Sequence, residues 1–337
     1  MASCPASPGV ERFDLPVGYR VFDTEVDAAW SGGARTVPVN LWYPTEARSG
    51  TAATYIGLFT DAQSLVDAAF ADPAPGCTLP LVVYSHGSQA WGGNASPLLR
   101  HLVAQGWVAA APDHVGNTLV DNVEPHRASY SFTRVADVLA TVDALDALDP
   151  SDALYQRVDT SRVLVVGHSY GGQTAWMMSG PTFDVPTLTA RCGAEEGGCT
   201  DAELAVFAAG VDDPRVVGVV PLDGDARTGL VSNGWADAEA PIFYMARAQD
   251  NDQEPFVQAA AARPTWARFD GACHETFTST PVSCESFEKE EGLDVVAVYL
   301  SAFAAATMMG DVSPSYAEIL DGTTAVDERV TVSVTDD

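Results

Sequence analysis

Short runs of continuously apolar residues recur along the chain and are separated by stretches of mixed polarity. Many residues in these runs are β-branched, as in VLVV at 163–166, and such runs are typical of strands buried on both faces of a parallel sheet. The pattern predicts six buried strands, at residues 80–84, 107–111, 162–166, 216–222, 242–246 and 265–269.

The stretches between these runs carry apolar residues at three- and four-residue steps, which is the spacing of one helix face. In residues 132–148 the apolar positions are Val135, Val138, Leu139, Val142 and Leu145. Helices are also predicted at residues 96–105, 173–179 and 293–308. The alternation of strands and helices predicts an α/β fold with a mostly parallel central sheet and helices on both faces.

The N-terminal part differs from the rest, because residues 20–26 and 36–43 predict two strands joined by a Gly-rich turn, an antiparallel start to the sheet. Residues 1–337 are interpreted as a single domain. Two segments fit the alternation poorly and are predicted to be insertions, at 46–79 and 180–213. Insertions of this size usually lie at the carboxyl edge of the sheet, and the second is a candidate cap over a binding site.

The sequence GHSYGG at 167–172 directly follows one predicted strand and directly precedes a predicted helix. In this context its G-x-S-x-G pattern predicts a tight turn that projects the hydroxyl of Ser169 over the edge of the sheet as a nucleophile. Gly167 and Gly171 leave room for that turn. The helix begins beside it, so the backbone amide of Tyr170 would stabilise a negatively charged oxygen formed there.

A second amide donor is expected from the loop after an earlier central strand. His86, Gly87 and Ser88 follow the strand predicted at 80–84. The amide of Ser88 is the favoured donor to an oxyanion, with that of Gln89 as the alternative. His86 could act as a catalytic base, but its place before Gly87 favours a role in shaping the loop.

These motifs and the strand order around them resemble the α/β-hydrolase superfamily. The chain is most similar to the platelet-activating-factor acetylhydrolase family and its bacterial esterase relatives, and more distantly to dienelactone hydrolases and cutinase-like polyester hydrolases. Besides the motif at 167–172, the matching segments are VNLWYP at 39–44, PLVVYSHG at 80–87, GWVAAAPDH at 106–114, PLDG at 221–224 and GACHETF at 271–277. The resemblance implies the α/β-hydrolase fold and a serine hydrolase without a cofactor.

The resemblance also implies which residues accompany the nucleophile, because these enzymes carry the serine, the acid and the histidine in that order along the chain. His274 is the only one of six histidines that follows Ser169. Asp223 matches the place of the acid in the acetylhydrolases, whereas Asp250 matches its place in dienelactone and polyester hydrolases, one strand later. Asp223 is favoured and Asp250 is the alternative; the acid would hold the imidazole tautomer and stabilise the imidazolium.

The charge of the chain restricts its partners. It has 46 acidic and 17 basic residues and a formal net charge of −29, which repels phosphate backbones and anionic lipid headgroups. No apolar run approaches the roughly 20 residues of a membrane-spanning helix. Motifs for EF-hands, zinc proteases and nucleotide-binding loops are absent from the sequence. We therefore expect an ester substrate, no nucleic acid, no transmembrane segment, no metal and no cofactor, and we favour a monomer.

The six cysteines lack the spacing of a zinc site. Two local disulfides are predicted, Cys192–Cys199 and Cys273–Cys284. Cys4–Cys77 is a candidate for a third, long-range disulfide. Such bonds persist in oxidising compartments. Together with residues 4–9, which resemble the start of an exported chain whose leader was removed, they predict a secreted or periplasmic protein; reduced cysteines in the cytosol are the alternative.

The sequence thus predicts a serine carboxylic-ester hydrolase that acts through a Ser-His-Asp triad and an acyl-enzyme on small or lipid-like esters. One alternative is a cutinase-like hydrolase of polyesters such as polyethylene terephthalate. Acyl transfer or amide hydrolysis would use the same triad. A non-catalytic binding protein would lack a triad member, and none is missing.

Overall fold

The apolar runs of the sequence form the middle of a large sheet in the computed structural model of the protein. The residues described are 15–26, 34–72, 76–122, 130–194, 199–226, 231–232, 235–248, 263–282, 284, 286–310 and 313–334. Side chains are described for all of these except 130–132 and 192–194.

The described residues form one 11-stranded sheet in the order β11-β10-β9-β8-β7-β5-β6-β2-β1-β4-β3. The strands are β1 Val17–Val26, β2 Arg35–Pro44, β3 Ala52–Tyr55, β4 Phe59–Val66, β5 Leu79–Ser85, β6 Val108–Pro112, β7 Val158–His168, β8 Val216–Leu222, β9 Phe243–Arg247, β10 Thr265–Phe269 and β11 Val330–Val334. From β6 to β10 all neighbours are parallel, whereas β1 and β2 are antiparallel, as the sequence predicts.

Helices cover both faces of the sheet. They are α1 Ser96–Val103, α2 Tyr130–Asp146, α3 Tyr170–Met177, α4 Val185–Ala194, α5 Asp201–Ala209, α6 Lys289–Ala304 and α7 Pro314–Leu320. Val82 and Tyr84 of β5 pack into a core shared with α1 and α6. Leu81 and Val83 of the same strand pack into a second core, shared with α2 and α3. Both faces of the central strands are therefore buried, and the predicted α/β class is confirmed.

The segment at 46–79 extends the sheet, because it contains β3 and β4 at the edge. Its polar strand sequence, FTDAQSLV, has no clear alternation of apolar residues, and β4 is held by pairing with β1 and β3. The segment at 180–213 contains α4 and α5, whose Leu188 and Phe207 are buried in the core on the α2 side. A role of this segment as a cap stays a prediction.

The helix late in the chain is longer than the sequence pattern indicates. After α6 it continues as a π-helical turn at Ala305–Met309. By length and composition alone, Lys289–Met309 is apolar enough to cross a membrane. Most of its apolar residues are buried inside the fold, and Tyr299 and Leu300 are fully buried. Packing against the sheet therefore accounts for its apolar composition.

Candidate active site

Ser169 lies in the turn between β7 and α3, at the carboxyl edge of the parallel strands. Its φ and ψ angles are 55° and −117°, which residues with a side chain rarely adopt. A Cβ atom at Gly167 would lie 2.0 Å from the carbonyl oxygen of Gly171, and one at Gly171 would lie 1.9 Å from that of Ser85. The close approach of the backbones requires glycine at both positions, which is the geometry of a nucleophile elbow.

Hydrogen bonds of the backbone hold this turn in place. The N–H of Ser169 donates to the carbonyl oxygen of Leu222 at the end of β8, at 2.9 Å. The side chain of Ser169 is half-buried. Tyr170 is the first residue of α3, so its amide lies at the end of the helix that carries partial positive charge.

Asp223 directly follows β8 and binds the imidazole of His274. Its φ angle of 47° is one that aspartate tolerates better than most residues, and its N–H donates to the carbonyl oxygen of Met245 at 2.7 Å. Nδ1 of His274 is hydrogen-bonded to Oδ2 of Asp223. The Asp223 side chain is 6% exposed and that of His274 32%. Since a carboxylate only accepts, the imidazole proton is on Nδ1, and Nε2 is able to accept a proton.

Arg247, at the end of β9, is a further partner of Asp223. Its Nε atom lies 3.1 Å from Oδ2 of Asp223, and its backbone N–H donates to Oδ1 at 3.1 Å. The carboxylate is thus fixed from two sides, by an imidazole and by a guanidinium. Sequence reasoning did not single out Arg247, because no local motif marks a residue that reaches a neighbouring strand.

His168, the residue before Ser169, contacts the loop that carries His274. It is buried, its Nε2 atom donates to the carbonyl oxygen of His274 at 2.8 Å, and the two rings lie 4.5 Å apart. Burial, reinforced by the nearby His274, lowers the pKa of His168 to about 3. A neutral His168 therefore holds the backbone of His274 beside the elbow. No role for His168 follows from the sequence pattern alone.

The loop that carries His274 is braced at several points. His274 begins a 3-10 turn, His274–Phe277, and the predicted disulfide between Cys273 and Cys284 is present, with Cα atoms 5.5 Å apart. The only lysine of the chain, Lys289, donates from Nζ to the carbonyl oxygens of Glu275 and Thr278. A short covalent loop and one cation therefore fix the backbone on both sides of the imidazole.

The loop after β5 lies against Ser169. A Cβ atom added to Gly87 would lie 3.3 Å from Cβ of Ser169. The N–H of Gln89 donates to the carbonyl oxygen of Asn117 at 3.2 Å, whereas among the described residues the N–H of Ser88 donates to no acceptor. This difference favours Ser88 over Gln89 as the donor to an oxyanion.

His86 is buried beneath the same loop. Its Nε2 atom accepts the backbone N–H of His114 at 3.0 Å, so Nδ1 carries the proton and donates to the carbonyl oxygen of Gly87 at 2.7 Å. Burial lowers the pKa of His86 well below its ordinary value. These bonds fit the predicted part of His86 in shaping the loop.

Comparison with known proteins identifies the family. Residues 74–325 match the model of the alpha/beta hydrolase family, well over half of the chain. The chain belongs to the alpha/beta hydrolase family. Among solved structures, it is similar to the ferulic acid esterase from Streptomyces cinnamoneus, with a TM-score of 0.67 and 19% identity over 98% of this chain and 99% of that one. At this identity the likeness shows the fold alone. No curated protein sequence matches the chain.

Ser169 and His274 are not hydrogen-bonded to each other in the structure of this alpha/beta hydrolase. Among the described residues, no hydrogen bond links Oγ of Ser169 to Nε2 of His274; in enzymes without substrate this contact is often long. The alternative acid, Asp250, lies outside the described residues. The structure therefore brings Asp223 and His274 into contact, and a catalytic role of Asp250 stays a prediction.

The other predicted disulfides are described only in part. Cys77 and Cys199 are disulfide-bonded, but Cys4 and the side chain of Cys192 lie outside the described part of the chain. Those pairings stay predictions.

Among the residues that the structure describes, no group of three or more histidine, cysteine, aspartate or glutamate residues is placed to hold a metal ion.

Proposed function

We propose that this alpha/beta hydrolase is a serine carboxylic-ester hydrolase with Ser169, His274 and Asp223 as its triad. The observation that carries the proposal is the Asp223–His274 hydrogen bond at the carboxyl edge of the sheet, next to the turn that presents Ser169. Membership of the family supports hydrolysis in general. The order of the three residues along the chain is that of the family's catalytic triads.

In the first half of the reaction, Oγ of Ser169 attacks the ester carbonyl carbon while Nε2 of His274 takes the hydroxyl proton. The tetrahedral oxyanion is bound by the amides of Tyr170 and Ser88. The C–O bond to the alcohol then breaks, and His274 returns the proton to the leaving oxygen. Asp223 keeps the proton on Nδ1 and stabilises the imidazolium.

In the second half, water replaces the alcohol. Nε2 of His274 takes a proton from the water, whose oxygen attacks the carbonyl carbon of the acyl-enzyme. Collapse of the second tetrahedral intermediate releases the carboxylic acid and returns the proton to Oγ of Ser169. The acid ionises in solution, and the net charge of −29 favours its departure.

The same charge supports a neutral ester as substrate, either small or lipid-like. A screen of p-nitrophenyl esters from acetyl to long acyl chains, with a ferulate ester added because the solved neighbour is a ferulic acid esterase, would define the acyl group. Comparing product release from a polyester film with turnover of a soluble ester separates the cutinase-like alternative.

The Cys273–Cys284 disulfide supports a secreted or periplasmic location.

Substitution of the nucleophile tests the proposal. We expect Ser169→Ala to lower kcat for p-nitrophenyl acetate by at least about 10³-fold, because the proposed acyl-enzyme forms on Oγ of Ser169. Ser161→Ala is the matched control, since Ser161 is exposed on β7, the strand that leads to Ser169, and its hydroxyl donates to the nearby Asp159. A Ser169→Ala protein that folds and keeps the activity of the control would refute the proposal.

A further inference from the structure

Arg134 is a buried guanidinium that the proposed mechanism does not use. It lies near the start of α2 and is 1% exposed, whereas its neighbours Val135 and Val138 pack into the apolar core. Burying a guanidinium is costly unless its donors are satisfied. The groups that satisfy it therefore reveal what this residue does.

The donors of Arg134 point at the loop that follows β5. Nη1 donates to the carbonyl oxygen of His86, and Nη2 donates to that of Gly87 at 3.2 Å. Nη2 also donates to Oδ1 of Asn117, whose Nδ2 atom lies 3.3 Å from Oγ of Ser88. One planar guanidinium thus contacts two successive carbonyl groups and, through Asn117, the side chain of Ser88.

The contact with Gly87 fixes the direction of the proposed oxyanion donor. The carbonyl of Gly87 and the N–H of Ser88 belong to one planar trans peptide unit, so the two groups point in opposite directions. Besides Arg134, this carbonyl accepts from Nδ1 of His86 at 2.7 Å and from the N–H of Ala90 at 3.2 Å. Holding the carbonyl toward Arg134 turns the N–H of Ser88 away from Arg134.

The guanidinium also contacts the other proposed donor. Its central carbon lies 4.6 Å from the ring centroid of Tyr170, a cation–π distance. Tyr170 supplies the second amide of the oxyanion hole. The side chain of Arg134 is therefore the common support for both residues whose amides would bind the oxyanion.

A buried hydrogen-bonded chain holds the same loop from below. Oγ of Ser85 lies 2.8 Å from Nε2 of His114, and Nδ1 of His114 lies 2.8 Å from Oδ2 of Asp137. All three residues are buried, and Nη1 of Arg134 lies 3.5 Å from Oγ of Ser85. Burial lowers the pKa of His114, so its imidazole is neutral and the serine–histidine–aspartate chain is a buried support of the loop.

We propose that Arg134 is the positioning residue of the oxyanion hole: it orients the Gly87–Ser88 peptide and holds Tyr170 beside it. The inference rests on the proposed function. Arg134 touches no reacting atom and acts through the two amides. Misplacing them weakens binding of the tetrahedral intermediate and leaves binding of the planar ester almost unchanged.

The test replaces Arg134 by lysine, which keeps the charge but lacks the planar fork of donors. For p-nitrophenyl acetate we expect kcat per active site to fall about 10- to 100-fold with KM changed less than about 2-fold. Inhibition by phenylboronic acid, which forms a tetrahedral adduct with an active serine, is expected to weaken by the same factor as kcat. Active sites are counted by the burst of p-nitrophenol, which removes any loss due to misfolded enzyme.

Arg162→Lys is the matched control. Arg162 donates to the carbonyl oxygen of Thr307 at 2.9 Å, and it lies six residues before His168 on β7, about 20 Å along the strand. This variant is expected to keep kcat and the boronate affinity of the original protein. If Arg134→Lys does not fold, Asn117→Ala carries the test, with a smaller fall in both quantities expected.

The outcomes separate the two proposals. If Ser169→Ala is inactive and Arg134→Lys keeps full kcat and boronate affinity per active site, the role of Arg134 is refuted while the proposed function stands. A fall in stability alone, with both quantities unchanged, refutes it equally. If Ser169→Ala is active, the proposed function itself fails.

Discussion

At the residue scale, Asp223 is distinguished as the proposed acid by its contacts. Asp223 combines a positive φ angle, a backbone bond to the neighbouring strand, and two partners for its carboxylate, His274 and Arg247. An aspartate held in this way offers one oxygen to the imidazole in a fixed direction. This arrangement is the physical reason to favour Asp223 over Asp250 as the acid.

Replacing the two aspartates separately tests this choice. We expect Asp223→Asn to lower kcat for p-nitrophenyl acetate by about 10³- to 10⁴-fold, because an amide no longer fixes the proton on Nδ1 of His274. Asp250→Asn is expected to keep kcat within about 3-fold, since Asp223 already binds Nδ1 of His274. Asp225→Asn serves as a control for removing one negative charge near the site. The reverse order of losses would identify Asp250 as the acid.

Several residues of the site could not be found from the sequence. Arg134 and Arg247 make their contacts across 47 and 24 residues of chain, to Gly87 and Asp223. Such pairs leave no local spacing, so nothing in the sequence marks them. Ser169 differs, because the elbow is a local turn whose glycines are required within two residues on either side.

At the scale of elements, continuous apolar runs predicted the central strands well. Val216–Leu222 and Thr265–Phe269 have the predicted bounds, and the other central strands differ by a few residues. The reason is physical: burial on both faces favours apolar side chains at most positions, so these strands are visible in the sequence as apolar runs. The sequence pattern predicts the start of α3 at residue 173, whereas the helix begins at Tyr170. Its first three residues are Tyr170 and two glycines, which are poor helix formers.

Strands β3 and β4, at one edge of the sheet, were missed for the opposite reason. Half of the residues in Phe59–Val66 are polar, and the burial of this strand alternates only in part. Its place in the sheet depends on distant partners: Val17–Tyr19 of β1 pair with Ser64–Val66, and Nε of Arg100 lies 3.1 Å from Oδ2 of Asp61. Non-local contacts of this kind decide β structure at a sheet edge, where local propensity is weak.

At the scale of the whole molecule, burial of neutral histidines couples stability to pH. Burial lowers the pKa of His86, His114 and His168. In the unfolded chain these groups take up protons near their ordinary pKa of about 6.5. Between about pH 6.5 and the lowered pKa of each histidine, the unfolded state binds more protons than the folded state. The free energy of unfolding therefore decreases as the pH falls.

We therefore expect the protein to lose stability as the pH falls from 7.5 to 5.0, by up to about 1.4 kcal/mol per pH unit for each buried histidine. Asp137 opposes part of this loss, because burial raises its pKa to about 6 and its folded form takes up a proton first. Urea unfolding at several pH values measures the slope. His168→Gln is expected to make the slope shallower, and an identical slope in that variant would contradict the assignment.

The central claim is that Ser169 is the nucleophile of an ester hydrolase, and covalent labelling tests it most directly. The full chain is treated with a fluorophosphonate, digested, and mapped by mass spectrometry beside Ser169→Ala and Ser161→Ala. One adduct per chain is expected, on Ser169, absent from Ser169→Ala and retained in Ser161→Ala, with hydrolysis lost in proportion to labelling. An adduct on another residue, or undiminished hydrolysis after Ser169 is fully labelled, would contradict it.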